Sequence, residues 1–540
     1  PVTPEELQRA KQQLMAHFIM SNRDIDSQAS QLAYNQTIAG DYCYSDRYLE
    51  AIQAVTVADV QRVAQTYLPK AQRTVGYFEP THLDEEADMG GVSFQHTTEN
   101  FSPSEPVDPA LVAQYLPPMH ATPVSASQLL PEIMTLGNGL KVLLLADASS
   151  PTVSIGGYIQ AGNGLDIADK AGVASLTADT LMGGTESQDA LALAKVLEDR
   201  GAELDFSAFR EGVEIEGHAL APDLDILLHT LADVLQRATF PDTELELSRT
   251  QTISSLQMEL DDPQRLGRRV LQQKLYPSDH PYHGFATLET VQAIARTDIL
   301  AFYRQHYTPD HTVLVLVGDF DASQVRERLQ GYFGDWPAST DPHTPIIPAV
   351  TAPESIQRMQ IPLPGKHQAV TYMGYPGIAR RDPRFYPALV LNQILGGDTL
   401  ASRLGTEIRD RQGLTYGIYS YFAAGQLAGP FVIEMQTAPE DTERAIQSTL
   451  ALLRQFREEG VSESELNTAK RSLINSYPVE LANLDALAQR VLMNAVDGFD
   501  VAEIRDFPDR IDRITLAELN QAIQALIQPE QLLIVTAGPT

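Results

Sequence analysis

The sequence predicts an α+β fold assembled from repeated units, and three observations support this. The chain has 540 residues, enough for about three or four domain-sized units. Hydrophobic residues make up 43% and charged residues 20%, which is an ordinary globular composition. The chain also resembles itself, because related segments recur at the openings and at the endings of three copies of one unit.

The openings of the three copies share one pattern. Residues 2–14 (VTPEELQRAKQQL) align with residues 461–473 (VSESELNTAKRSL), so that Lys11 meets Lys470, and a weaker copy (FPDTELELSRTQTI) starts at Phe240. Each copy begins with a small residue, a proline or a hydroxyl residue, followed by acidic residues, which is typical of a helix N-terminus. The sequence therefore predicts a helix at the opening of each copy.

The endings also share one pattern. Residues 55–78, 295–320 and 514–539 each show helical periodicity, then a turn with proline, then an apolar strand. Helices and strands within one repeat make it an α+β unit.

The strands that open a unit are visible only in the later copies. Residues 135–147 (TLGNGLKVLLLAD) predict a strand pair around an Asn-Gly turn, and residues 150–162 predict a third strand. The first copy is missing this front part. Since the chain starts at Pro1 and opens directly into a helix pattern, we expect that something upstream was cut off or left out.

Two breaks divide the chain. Residues 81–132 are acidic, rich in proline and aperiodic, which predicts a long surface linker. A shorter break at residues 335–355 separates two units of about 200 residues each, a comfortable domain size. The predicted domains are therefore residues 1–80, the C-terminal part of a truncated upstream domain, then residues 133–345 and residues 346–540.

Composition excludes several classes of function. The formal charge of −32 argues against nucleic acid and anionic membranes, whose phosphates would be repelled. Cys43 is the single cysteine, which excludes an internal disulfide framework, and we expect it to be a buried, small apolar residue. No run of 18 apolar residues predicts a membrane span, so we expect a soluble protein of a bacterial cytoplasm or periplasm, with the compartment itself open.

Four strings, in this order on a repeated scaffold, resemble a known family. They are LGNGLKVLLL, GGYIQAGNGLDIADKAGVASLTADTLMGGTES, DHPYHG and LNQILGGDTLASRLGTEIRDRQGLTYGIYS. The chain is similar to the pitrilysin/insulysin-type zinc peptidases, or inverzincins, outside the linker. The resemblance implies two-layer α/β-sandwich units of the pitrilysin and mitochondrial-processing-peptidase type, with mainly antiparallel sheets and helices on one face.

The zinc motif of that family is degenerate here. Active halves place H-x-x-E-H on a helix after the third strand, where two His hold zinc and the Glu polarises water. The matching positions are Ser175, Ala178 and Asp179, and the family's third ligand falls at about Ser255. A lone Asp on a helix face can contact a metal but is usually only solvated. The resemblance therefore implies no catalytic zinc in this chain, and zinc in an upstream half or a partner subunit.

Arg409 and Tyr416 match a pair that the family's C-terminal half directs at the substrate. A guanidinium and a phenol can donate hydrogen bonds to a scissile carbonyl oxygen as it gains negative charge. In the alternative interpretation, Arg409 caps its own helix dipole and Tyr416 packs half-buried in a sheet. The resemblance favours the catalytic-support role.

Other candidates have simpler interpretations. His280 and His283 lie in a turn (SDHPYHGF) that could bind zinc, but the string also matches an ordinary loop of the fold, which favours a structural role. Gly396 and Gly397 lack the Lys and Ser/Thr of a phosphate loop, so we expect them to let the chain pass close to substrate or to a neighbouring helix. No Gly-x-Ser-x-Gly elbow or convincing serine triad is present.

Two hypotheses of function follow. In the first, the chain is the non-zinc C-terminal portion of a bipartite zinc metalloendopeptidase that encloses and hydrolyses peptides or small unfolded proteins. Its partner is a zinc-bearing half, joined covalently or as a separate subunit, and the chain alone is inactive. In the second, the chain is a non-catalytic scaffold or peptide-recognition subunit of the same fold. The lost zinc ligands favour the second hypothesis, and the retained Arg/Tyr spacing favours the first.

Overall fold

The computed structural model of the chain describes residues 2–77, 130–339 and 347–539. These ranges contain an N-terminal helical segment (residues 2–77), a first α/β unit (residues 130–339) and a second α/β unit (residues 347–539). The predicted linker lies outside the described residues except for its last three positions. The proposed domain boundaries therefore remain predictions.

The N-terminal segment is helical. Its helices are α1 (Pro4–Met20), α2 (Ile25–Tyr34), α3 (Tyr44–Ala54) and α4 (Val57–Tyr67), with a π-helical turn at Asn35–Ala39 and a 3-10 turn at Lys70–Gln72. The predicted opening helix is present, and Thr3 caps it in a reciprocal box with Glu6.

Two predictions for the N-terminal segment are wrong. Residues 73–77 form no strand, because a strand needs a neighbour to pair with and the segment contains no sheet. Cys43 is exposed, because it precedes α3 in a turn at the surface.

The first unit is built around a six-stranded sheet in the order β1-β2-β6-β3-β5-β4. Its strands are β1 (Glu132–Thr135), β2 (Lys141–Ala146), β3 (Thr152–Ile159), β4 (Glu203–Ala208), β5 (Val213–Leu220) and β6 (Thr312–Gly318). Only the β2/β6 pair is parallel. The predicted strand pair is β1 and β2, and Gly139 adopts φ +95° in the turn between them.

The first unit (residues 130–339) also contains eight helices. They are α5 (Val173–Asp179), α6 (Ala190–Glu198), α7 (Leu224–Arg237), α8 (Asp242–Asp261), α9 (Pro263–Leu275), α10 (Leu288–Ala293), α11 (Arg296–His306) and α12 (Ala322–Phe333), with short 3-10 turns between them. Every residue of β3 is buried, because β3 is central in the sheet and both of its faces are covered.

The second unit is built around a five-stranded sheet in the order β7-β11-β8-β10-β9. Its strands are β7 (Gln357–Pro362), β8 (Ala369–Pro376), β9 (Thr415–Phe422), β10 (Pro430–Thr437) and β11 (Leu533–Gly538), and only β7/β11 is parallel. Its helices are α13 (Phe385–Leu395), a π-helix (Gly405–Arg411), α14 (Thr442–Glu459), α15 (Glu463–Glu480), α16 (Leu484–Val496), α17 (Glu503–Asp512) and α18 (Leu516–Leu526). The predicted helix-turn-strand endings are present in both units.

The two units exchange one helix each. Helix α9 of the first unit packs its Leu271 against Tyr372 and Val370 on the sheet of the second unit. Helix α16 of the second unit lies against β3 and β6 of the first unit, where Leu492 approaches Gly156. Each sheet is therefore covered on one face by its own helices and on the other face by a helix of the other unit.

Polar contacts also join the units. The carboxylate of Glu211, in the β4-β5 turn, accepts hydrogen bonds from the backbone N–H groups of Gln426 (2.9 Å) and Leu427 (2.8 Å) and from the hydroxyl of Tyr282 (2.5 Å). We call this contact the Glu211 latch. Since it binds the β9-β10 loop to the β4-β5 turn, it fixes the second unit against the first.

Candidate functional site

The degenerate zinc positions lie on and beside α5. Asp166 holds the start of this helix, because its carboxylate accepts hydrogen bonds from the N–H groups of Gly172 (2.7 Å) and Ala174 (2.9 Å). Burial raises the pKa of Asp166 to about 6. The helix is thus fixed where the family places its metal ligands, although the ligands themselves are replaced.

Little at these positions could hold a metal. The Ser175 hydroxyl accepts a hydrogen bond from Asn163 at 2.9 Å, and Ala178 is buried without a polar group. Asp179 is exposed at the end of α5, and its carboxylate lies 3.5 Å from the Ser248 hydroxyl. Ser255 is exposed on α8. Within residues 2–77, 130–339 and 347–539, no group of three His, Cys, Asp or Glu side chains is placed to bind a metal ion.

The structure brings Arg409 and Tyr416 together. The Arg409 Nε donates a hydrogen bond to the Tyr416 carbonyl oxygen at 2.9 Å, and its Nη1 lies 2.6 Å from the Asp410 carboxylate. The Arg409 side chain is 23% exposed and Tyr416 is 79% exposed. Tyr416 is therefore not half-buried in the sheet, and the Arg409 guanidinium contacts the backbone of Tyr416 itself.

The local fold explains why the pair meets. The π-helix ends at Arg411, Gly413 then adopts φ +64°, and the Leu414 N–H donates to the Ile408 carbonyl at 3.0 Å. Ile408, which precedes Arg409, is buried in the core and holds this part of the π-helix in place. The chain then enters β9 with Tyr416 as its second residue.

Arg409 and Tyr416 lie at an open surface. A groove of about 730 Å³ runs beside the π-helix and is lined by Arg403, Glu407 and Arg411, but by neither member of the pair. Hydrogen bonds from the pair could therefore reach a substrate that lies over the start of β9, outside the groove.

The two histidines have structural roles, as the loop interpretation predicts. His280 is buried, its Nδ1 accepts a hydrogen bond from the Tyr282 N–H at 3.0 Å, and burial lowers its pKa. His283 Nδ1 lies 2.8 Å from the Tyr276 carbonyl oxygen. Both rings hold the loop that presents Tyr282 to the Glu211 latch.

Gly396 and Gly397 both lie at close contacts within the protein. A Cβ at Gly396 would lie 2.4 Å from the Ser420 hydroxyl, and a Cβ at Gly397 would lie 3.0 Å from the Gln393 Cα. Gly396 therefore lets the end of α13 approach β9, and Gly397 packs tightly against the last turn of α13.

Sequence reasoning missed a buried charged cluster in the second unit. Arg380 lies 3.6 Å from Glu503 and 4.0 Å from Asp497, and Arg510 contacts Glu503 at 3.0 Å. Burial raises the pKa of Asp497 to about 6. No local pattern indicates this cluster, since residue 380 and residues 497–510 meet only through the tertiary fold.

No helix within the described ranges combines the length and the apolar character that crossing a bilayer would require.

Two family models match the chain. One, described as the peptidase M16 inactive domain, covers residues 293–473, and the other, described as insulinase (peptidase family M16), covers residues 141–280.

Curated relatives match most of the chain. An uncharacterized zinc protease of Streptomyces coelicolor is 25% identical over 71% of this chain and 84% of its own length. A non-peptidase homolog, YmxG of Helicobacter pylori, is 24% identical over 67% of this chain and 84% of its own length.

Solved structures match as well. The crystal structure of a peptidase M16 inactive domain from Pseudomonas fluorescens covers 76% of this chain and 98% of its own, with a TM-score of 0.70 and 26% identity. A protease from Helicobacter pylori shares the fold with a TM-score of 0.70 at 18% identity, over 76% of this chain and 99% of its own. The predicted fold class is confirmed.

Proposed function

Because the chain belongs to the peptidase M16 family and includes its inactive-type domain, we propose that it is the non-zinc C-terminal portion of a bipartite zinc metalloendopeptidase. The assembled enzyme encloses and hydrolyses peptides or small unfolded proteins. Zinc and the catalytic base belong to a zinc-bearing half, since positions 175, 178, 179 and 255 of this chain do not fit a metal ion.

The contribution of this chain is the Arg409/Tyr416 pair, and its geometry carries the proposal. The hydrogen bond from Arg409 Nε to the Tyr416 carbonyl fixes both residues at one turn while the phenol stays exposed. Such fixed donors can stabilise the oxyanion of a peptide carbonyl under attack, and one donor is typically worth about 3 to 4 kcal/mol. The chain supplies donors and no nucleophile, so it is inactive alone.

The test is turnover of a quenched fluorescent peptide by the chain reconstituted with a zinc-bearing half. We expect Tyr416→Phe and Arg409→Ala to lower kcat by about 100-fold or more. Tyr419→Phe is the matched control, because Tyr419 is also exposed on β9, at 47%. Arg411→Ala is the control for the guanidinium, since Arg411 lies on the same π-helix.

Melting temperatures should stay within about 2 °C of the wild type for the tyrosine variants, since both side chains are exposed. Unchanged turnover in Tyr416→Phe, or an equal loss in Tyr419→Phe, would contradict the role of the pair.

A non-catalytic scaffold or peptide-recognition subunit is the second candidate. The replaced zinc positions favour it, as does the similarity to a relative named a non-peptidase homolog. Peptide cleavage measured with and without the zinc-bearing half separates the two candidates. If the zinc-bearing half cleaves the peptide equally well without this chain, the result supports the scaffold or recognition function.

A further inference from the structure

The two sheets end in equivalent edge strands that have different surroundings. Strand β4 closes one end of the first sheet beyond β5, and β9 closes one end of the second sheet beyond β10. Each of these edge strands is the first strand of an antiparallel hairpin. One side of its backbone therefore bonds to the hairpin partner, and the other side faces outward.

The outward side of β9 is occupied by the chain itself. The Ile418 N–H donates to the Thr399 hydroxyl at 3.2 Å, and the Ser420 N–H donates to the Gly396 carbonyl at 2.8 Å. Both contacts come from the segment that follows α13. The second sheet is therefore closed to an additional strand along this part of β9.

The outward side of β4 is open. The Phe209 N–H donates to the Gly212 carbonyl at 2.8 Å, so the alternation of an antiparallel pair points the backbone groups of Leu204, Phe206 and Ala208 away from β5. Within the described ranges, no hydrogen bond reaches the backbone N–H or carbonyl groups of these three residues. Three donors and three acceptors therefore form a free edge along β4.

The first unit uses its matching glycine pair differently. Gly183 and Gly184 follow α5 closely, as Gly396 and Gly397 follow α13. The Gly184 carbonyl, however, accepts a hydrogen bond from the Thr239 N–H at 2.9 Å. The segment that covers β9 in the second unit is therefore bonded elsewhere in the first unit, which leaves the edge of β4 uncovered.

The exposed face beside the free edge is acidic. Glu203 and Asp205 lie on β4, and Glu214 and Glu216 lie on β5, with Asp205 directly opposite Glu216. In the part of the chain that the structure describes, none of these four carboxylates forms an ion pair with Lys or Arg, and Glu203 lies 3.2 Å from the His218 ring. Burial raises the pKa of Glu214, and the Glu216 carboxylate raises it further. The four carboxylates therefore form an acidic face whose charges repel one another.

We propose that the free edge of β4 is a binding site for an extended, basic polypeptide segment, which adds to the first sheet as a further strand. Its backbone pairs with Leu204, Phe206 and Ala208, and its Lys or Arg side chains, at alternate positions, lie over the acidic face. A second copy of this chain is a poor occupant, since two β4 strands would bring Glu203 and Asp205 against the same carboxylates. The inference extends the proposed function by naming a class of peptide, and it rests on that function only in identifying the bound segment as substrate.

The test is binding of a fluorescein-labelled heptapeptide of alternating Lys and Val to the full chain, measured by fluorescence anisotropy at low ionic strength. The alternation places every Lys on one face of the bound strand. We expect saturable binding, and at least tenfold weaker binding by a peptide in which Glu replaces each Lys. No binding of the lysine peptide, or equal binding of both peptides, would overturn the proposal.

Two N-methylated forms of the lysine peptide test strand pairing at constant charge. One form carries a methyl group on the backbone nitrogen of each Val, and the other carries methyl groups on the backbone nitrogens of three Lys residues. In an added strand only one of these alternate sets of N–H groups points to β4. We expect one form to bind at least tenfold more weakly and the other to bind within about twofold of the parent peptide. Equal affinities of the two forms would show that the peptide does not bind as a strand.

A charge variant tests whether the peptide binds at β4. We expect the double variant Asp205→Asn, Glu216→Gln to weaken binding of the lysine peptide at least fivefold without lowering the melting temperature, since both side chains are exposed. The matched control is Glu458→Gln, Glu459→Gln, which removes the same charge from exposed positions at the end of α14 and should bind normally. Equal affinities of the two double variants would overturn the assignment to β4.

The binding experiment and the turnover experiment can fail separately. Lost turnover in Tyr416→Phe, together with normal peptide binding by Asp205→Asn, Glu216→Gln, would retain the proposed function and reject the site at β4. Peptide binding at β4, together with full turnover in Tyr416→Phe, would retain the site and reject the proposed function.

Discussion

The first and second units share one architecture but differ at the positions that the resemblance to the family singles out. In the first unit the positions of the zinc ligands are occupied by Ser175, Asp179 and Ser255, and the last two are exposed. Between them, Leu176 and Thr177 are completely buried. The second unit keeps Arg409 and Tyr416 at its surface. The difference teaches that packing fixes the buried side of each helix and leaves the exposed site positions free to change.

The exchanged helices differ in how they fit the opposite sheet. Helix α9 carries Gly267 against the ring of Tyr372, so the small residue is on the helix. Helix α16 presents Leu492 to Gly156, so the small residue is on the sheet. The glycine that permits the contact is thus on the helix in one case and on the sheet in the other. Substitutions can show whether the two contacts contribute a similar free energy of unfolding.

The largest effect on stability is expected from truncating a leucine on one of the two exchanged helices. Leu492→Ala and Leu271→Ala each delete a buried leucine, 0% and 2% exposed, and should each lower the free energy of unfolding by about 2 to 5 kcal/mol. Chemical denaturation measures the loss, and hydrogen exchange of both sheets shows whether both units weaken together. A loss below about 1 kcal/mol for one variant would show that the exchange matters to one unit only.

The Glu211 latch should give the next largest effect. Glu211→Ala leaves two backbone N–H groups and the Tyr282 hydroxyl without their acceptor, which costs about 2 to 3 kcal/mol. Glu216→Ala is the control, because Glu216 is exposed on β5 nearby. Equal denaturation midpoints for the two variants would contradict a latch between the units.

The two glycine contacts give a sharper comparison. A Cβ at Gly267 would lie 2.9 Å from a ring carbon of the fully buried Tyr372, so Gly267→Ala should destabilise by about 1 to 2 kcal/mol despite the better helix propensity of alanine. A Cβ at Gly156 would lie 3.5 Å from Leu492, an ordinary contact. Gly156→Ala should therefore be neutral within about 0.5 kcal/mol. Equal losses would show that both helices sit equally close.

Local patterns explain which parts of the fold could be predicted. The Asn138-Gly139 turn, the helix caps and the two helix-turn-strand endings depend on residues close in sequence, and the structure contains them. The strand predicted within residues 55–78 and the burial of Cys43 depend on partner surfaces, and both predictions failed. The exchange of α9 and α16 was not predicted, since either helix would bury the same leucines against its own sheet.

The candidate site also has features that the sequence could predict and features that depend on the tertiary fold. The spacing of Arg409 and Tyr416 came from the resemblance to a family, and the sequence alone left two interpretations open. The hydrogen bond from the Arg409 side chain to the Tyr416 backbone depends on the αL turn at Gly413, and spacing cannot show it. The Arg380, Asp497 and Glu503 cluster joins residues more than a hundred positions apart, so no local signal could have found it.

The smallest expected effect is the contribution of Asp497, in the second unit, to the pH dependence of the free energy of unfolding. Burial raises the pKa of Asp497 to about 6, above the value of about 3.9 for an unfolded chain. The folded state then binds the proton more tightly, so this group lowers stability as the pH rises from about 4 to about 6 and adds nothing further above that. Between pH 5 and pH 7 the loss is about 1 kcal/mol.

Asp497→Asn should remove this loss while the exposed control Asp509→Asn retains it, as measured by denaturation at both pH values. The difference between wild type and variant isolates Asp497, because Asp166 in the first unit, whose pKa is also raised to about 6, titrates in both proteins. An Asp497→Asn protein with the wild-type pH dependence would show that the charged cluster of the second unit keeps Asp497 ionised, through Arg380 at 4.0 Å.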